Sequence, residues 1–160
     1  MAASRLSAAA KLLDEPTHAN GPLATAEALG RTAVETCRQH ERLSRLNDLG
    51  VSTAELAAAH ALVDTIDLAL AECVQAFEKS CAKVQVSDDV DVRHTANTLW
   101  LAAREYLRRH SIAERASQQL THHDVEQLGV LKFEYELEAS ALLALRQATT
   151  AFGKLRADAR

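Results

Sequence analysis

The chain has 160 residues, 48% hydrophobic and 25% charged, with 4% aromatic side chains, two prolines and five glycines. That is enough apolar material for one core and too little turn punctuation for a many-stranded sheet, so a single all-α domain is expected. The 22 acidic residues outnumber the 18 basic ones for a formal charge of −4, which gives no global attraction for nucleic acid, and no apolar run reaches the ~18 residues of a membrane-crossing helix.

In chain order, the first segment is MAASRLSAAAKLL. It lacks acid and carries Arg5 and Lys11, a faint likeness to an organelle transit peptide, and no secretory hydrophobic region is present. The plainer reading is a short leading helix from about Ala3 to Leu13, broken by Pro16, Asn20, Gly21 and Pro22. Residues 1–20 are thus expected to form a short helix and linker, and residues 21–160 the main domain. Pro22 suits a first helical position, where its missing N–H costs nothing. The helix it opens is expected to run to about Arg45 and to be stopped by Asn47, Asp48 and Gly50.

Ser52 and Glu55 form a capping box for a helix from Thr53 to about Lys83. Ser87 is the expected N-cap of the next, with Asp88, Asp89 and Asp91 placed where the helix dipole favours negative charge; it runs to about Gln119. Thr121 with Asp124 caps the last helix, to about Ala157. Four long helices with short connections predict an antiparallel up-down-up-down four-helix bundle with a short extra N-terminal helix.

The apolar faces carry the functional clues. Ala26, Leu29, Ala33, Cys37, His40 and Leu43 turn inward on the first long helix. On the second the inward stripe is Leu56, Ala59, Val63, Ile66, Leu70, Val74, Phe77 and Cys81, with Asp67 at its edge. On the third it is Val92, Ala96, Leu99, Ala103, Tyr106 and His110, with Trp100 and Leu107 beside it. The fourth long helix has two stripes on nearly opposite sides. Leu128, Leu131, Tyr135, Ala139 and Leu142 form one. Val130, Phe133, Leu137, Ala141 and Ala144 form the other, which is expected to be an interface covered by a second subunit or by the N-terminal helix. Twofold pairing is the commonest solution, so a homodimer is expected.

Counting outward from the turns places His40, His60 and His110 at one level, with Asp64, Asp67 and Glu114 within one or two turns. Imidazole and carboxylate together suit a transition metal, although Glu-x-x-His and His-x-x-x-His patterns are absent from residue 22 onward. The plainer reading is a structural polar layer. Arg93, Arg104, Arg108 and Arg115 form a row that could hold an anion or an acidic partner, or simply pair with Glu134, Glu136 or Glu138. His122 and His123 in the turn THHD are read as solvent-facing. Cys37, Cys73 and Cys81 are an odd number without a CxxC pair, read as buried thiols in a reducing, cytoplasmic setting. The leading expectation is a non-enzymatic helical interaction and oligomerisation module, with room for a protein partner. The alternative is a bundle holding a metal or small ligand at the histidine level.

Overall fold

A computed structural model describes residues 21–82, 86–120 and 125–158. They form four helices: α1 (Pro22–Leu49), α2 (Thr53–Cys81), α3 (Val90–Gln119) and α4 (Val125–Asp158), with no strand among the described residues. The expected N-terminal helix, the Thr121–Asp124 cap and the turn holding His122 and His123 lie outside them. No helix among the described residues is long and apolar enough to cross a membrane.

The helix ends are set by local chemistry. Pro22 occupies the first turn of α1. The helix continues past Arg45 to Leu49, because Gly50 adopts the left-handed conformation (φ 61°) and returns its N–H to the Asn47 carbonyl. A side chain is strained there, so Gly50→Ala is expected to cost about 1 kcal/mol in urea unfolding. An unchanged midpoint would mean that the turn is not held in this form. The Ser52 hydroxyl accepts the Glu55 N–H (3.3 Å), while the Glu55 carboxylate accepts the Ser52 N–H (3.2 Å), completing the capping box of α2. The α3 cap is Asp89, not Ser87: its carboxylate takes the N–H groups of Asp91 (2.8 Å) and Val92 (3.2 Å). Ser87 instead accepts the Asp89 N–H.

All four helices share one core. Leu29 and Ala33 come from α1, Leu70, Val74 and Phe77 from α2, Leu99, Ala103 and Tyr106 from α3, and Leu145, Ala148 and Phe152 from α4. The most extensive packing is α3 on α4 and α1 on α2; the α2–α3 seam is thinner. Gly30 permits the α1–α4 approach, since a Cβ there would meet the Phe152 ring at 3.2 Å. A second, smaller cluster of Leu43, Ala59 and Val63 involves α1 and α2 alone. On α4 the buried residues run from Ala141 to Phe152, and none precedes Ala141. The shared core therefore ends near the level of Ala141. Beyond it, α1 and α2 keep an apolar seam of their own while α4 loses its cover.

This corrects the expected division of α4 into two faces. Ala141, expected at the interface, is buried in the chain's own core beside Leu145 and Ala148. Leu137 is half-buried, while Val130, Phe133 and Ala144 are exposed. Leu128 and Tyr135, expected to face the core, are exposed as well. The difference runs along the helix axis: every buried residue of α4 lies from Ala141 onward, and the half before it has none.

Candidate functional site

At the boundary where the shared core ends, five polar side chains from all four helices meet. The α1–α2 register sets two of them. Thr25 and Ser80 hydroxyls lie 2.7 Å apart, Thr32 and Cys73 3.4 Å, and His40 Nε2 is 3.2 Å from Asp67 Oδ2. Position 40 thus opposes Asp67, not His60. His60 lies two turns further along α2, past the end of the shared core, and is exposed. Asp64 and Glu114 are exposed too. Of the six expected ligand residues, the structure brings together His40, Asp67 and His110, and it leaves His60, Asp64 and Glu114 outside. Among the described residues no group of three or more His, Cys, Asp or Glu is placed to hold a metal ion.

Asp67 is the centre, 5% exposed. The Tyr106 hydroxyl donates to its Oδ2 at 2.8 Å and lies 2.5 Å from His40 Nε2. A phenol has one hydrogen, and here it is used on the carboxylate. The short contact to His40 therefore requires that Nε2 carry a proton and that the tyrosine oxygen accept it. His110 adds the other side. Its Nδ1 is 2.7 Å from Glu138 Oε1, and its Nε2 is 3.7 Å from Asp67 Oδ2. A carboxylate only accepts, so Nδ1 is the protonated nitrogen of that contact. The His40 ring meets those of Tyr106 and His110 edge-on, at 5.5 and 6.1 Å between centroids.

The electrostatics follow from burial and these partners. The hydrogen bond to Glu138 raises the His110 pKa above its ordinary value, with burial opposing and the Asp67 charge assisting. Burial, then the Asp67 charge, lift the Tyr106 phenol far above its usual range. Tyr106 is accordingly a hydrogen-bond donor and not a phenolate. Asp67 Oδ1 and Thr36 Oγ1, both buried, have no hydrogen-bond partner among the described residues. Burial pushes the Cys37 thiol up to about 11 and also raises that of Cys73. In both, the raised pKa disfavours the thiolate, which is the nucleophilic form.

The arginine row is largely matched within the chain. Arg104 lies 4.8 Å over the Trp100 ring and 3.5 Å from Glu78. Arg108 makes two bonds to Glu105 (2.9 and 2.8 Å), which Arg109 joins at 2.8 Å; their hydrogen bonds hold the Glu105 carboxyl down at about 2. Arg115 donates to the Ser111 carbonyl, and Arg93 is half-buried. Of the three glutamates expected to meet this face, Glu134 lies 3.9 Å from Arg109, the one such approach among the described residues. Arg104 and Arg108 do rim an open groove of about 610 Å³ between α2 and α3, with Val74, Leu101 and Leu107 in its lining.

Sequence reasoning missed two members of the polar layer. Tyr106 was placed on the inward stripe without a role, yet a tyrosine there must find a partner for its hydroxyl. Glu138 is read from the sequence only as an arginine partner, and no rule of spacing within one helix could pair it with His110. No family model, curated protein or solved structure matches the chain.

Proposed function

We propose that the chain is a non-enzymatic helical module that self-associates through the N-terminal half of α4, with its four helices running up-down-up-down. The carrying observation is the unpartnered apolar surface at that end. Phe133 is 57% exposed and Val130 53% on one side of the helix, with Leu128 and Tyr135 open on the other. A helix with large apolar side chains open on both sides calls for partners to cover them, and a twofold pair of identical chains is the commonest way to cover the Val130–Phe133 side. The alternating direction is supported by contacts that climb one helix as they descend the next. Glu27 meets Arg156 and Gly30 meets Phe152 between α1 and α4. Glu78 meets Arg104 while Asp67 meets Tyr106 between α2 and α3.

The polar layer is structural in this reading: its members spend their hydrogen-bonding capacity mainly on one another. Three free cysteines support a reducing compartment, the cytoplasm. The net charge of −4 supports neither nucleic acid nor an anionic membrane as a partner. The α2–α3 groove, with Leu101 exposed in its lining, favours a second surface for a protein partner.

The test is Val130→Glu with Phe133→Glu, which puts charge at the centre of the α4 surface. Light scattering is expected to show half the wild-type mass, with helical circular dichroism unchanged because neither side chain is in the core. A variant with unchanged mass would remove this face as the interface.

A further inference from the structure

Asp67, His110 and Glu138 stand on three helices, and their contacts cross the α2–α3 and α3–α4 seams. We propose that His110 is a protonation-controlled latch: as an imidazolium it ties both Glu138 of α4 and Asp67 of α2 to α3, and as a neutral ring it holds Glu138 alone. This goes beyond self-association and stands whether or not the α4 face pairs with another chain.

The geometry distinguishes the two protonation states. A neutral imidazole has one N–H, and at 2.7 Å the Glu138 carboxylate claims it on Nδ1. Nε2 then turns a lone pair toward Asp67 Oδ2 at 3.7 Å, a repulsive contact between two acceptors. Protonation makes the same contact an ion pair between a half-buried ring and a buried carboxylate. The groups acting on this ring are His40 from α1, Asp67 from α2, Tyr106 and Glu114 from α3, and Glu138 from α4; around its neighbours lie Cys37 by Tyr106, Arg146 by Cys37, and the Arg109–Glu134 pair. Arg109 is committed to Glu105 at 2.8 Å, which leaves His110 to balance Glu138. The α2–α3 seam is thin, so one tie across it carries more weight than it would between α1 and α2. The layer also lies where the shared core ends. What deprotonation frees is the α2–α3 seam at this level, because the Glu138 contact to α4 is kept in both states.

The direction of the pH effect follows from linkage. Glu138 raises the folded-state pKa of His110 above its unfolded value of about 6.5. A raised histidine contributes stability that is fully present below the unfolded pKa and is lost as pH rises through the folded one. The latch is closed in mildly acidic solution and opens on the alkaline side.

The experiment is hydrogen exchange of the α2 and α3 amides around Asp67 and His110 against pH, corrected for intrinsic exchange, together with a proton NMR titration of the histidine rings. In the wild-type chain the His110 midpoint is expected above 6.5. Opening around residues 63–70 and 106–113 should rise through that midpoint by up to about tenfold per pH unit, the slope of a single proton. His110→Gln keeps a donor for Glu138 and should abolish the step. Glu138→Gln should lower the His110 midpoint and move the step with it, which decides the matter even if His110→Gln fails to fold. Repeating the series in the Phe133→Glu background separates the latch from a change of oligomeric state. A His110 midpoint at or below 6.5, a step that survives His110→Gln, or a step that stays put in Glu138→Gln would each overturn the proposal.

Discussion

Asp67→Ala is expected to lower the free energy of unfolding by about 3–5 kcal/mol, the range for removing one partner from a buried charged pair. The loss is large because Asp67 serves three groups. Tyr106 would keep a buried hydroxyl facing only His40, whose Nε2–H would in turn lose its carboxylate, and His110 would retain Glu138 alone. Urea denaturation at neutral pH measures it, and a cost below about 1 kcal/mol would show that water or rearrangement satisfies the layer without Asp67. Replacing the cluster is a different matter from breaking it. Asp67→Leu combined with His40→Leu and Tyr106→Phe should recover much of the loss, because an apolar layer of similar volume avoids the desolvation that charges incur.

Phe77→Ala is expected to cost a similar ~3–5 kcal/mol by a separate mechanism, the cavity left by a large side chain. Phe77 is buried in the shared core with its ring 6.4 Å from that of Trp100, and its side chain has no hydrogen-bonding group with which to join the polar layer. The two variants should therefore part company in their pH dependence. Phe77→Ala should lower stability uniformly and keep the wild-type decline above pH 6.5. Asp67→Ala should flatten that decline, since half of the His110 latch is gone. Parallel curves for the two would mean that the pH dependence has another origin.

What was legible in the sequence follows the range of the forces involved. The Ser52–Glu55 box, Pro22 in the first turn and Gly50 after the last one act within four residues, and each was readable as written. The inward stripe of α3 was readable too, because a helix with one buried side repeats its apolar residues at the helical period. The site was legible only in part. His40 and His110 were found as histidines on apolar stripes, and Asp67 as a carboxylate at the edge of one. The pairing between helices was not readable, because it depends on the axial offset of one helix against another. Counting from the turn centre matched His40 with His60, whereas the packed α1–α2 seam matches it with Asp67. Glu138 escaped for the same reason. On α4 the periodicity described two stripes along the whole helix, but every buried residue lies from Ala141 onward. Such a change along the axis leaves no mark on a helical wheel.

The most direct test of self-association is the mass of the untagged wild-type chain by light scattering, across a dilution series from high to low micromolar concentration. The expected result is a particle near 35 kDa, twice the 17.4 kDa of one chain, that dissociates on dilution or on substitution at Val130 and Phe133. A mass of one chain at every concentration would contradict the reading of α4 as a self-association surface.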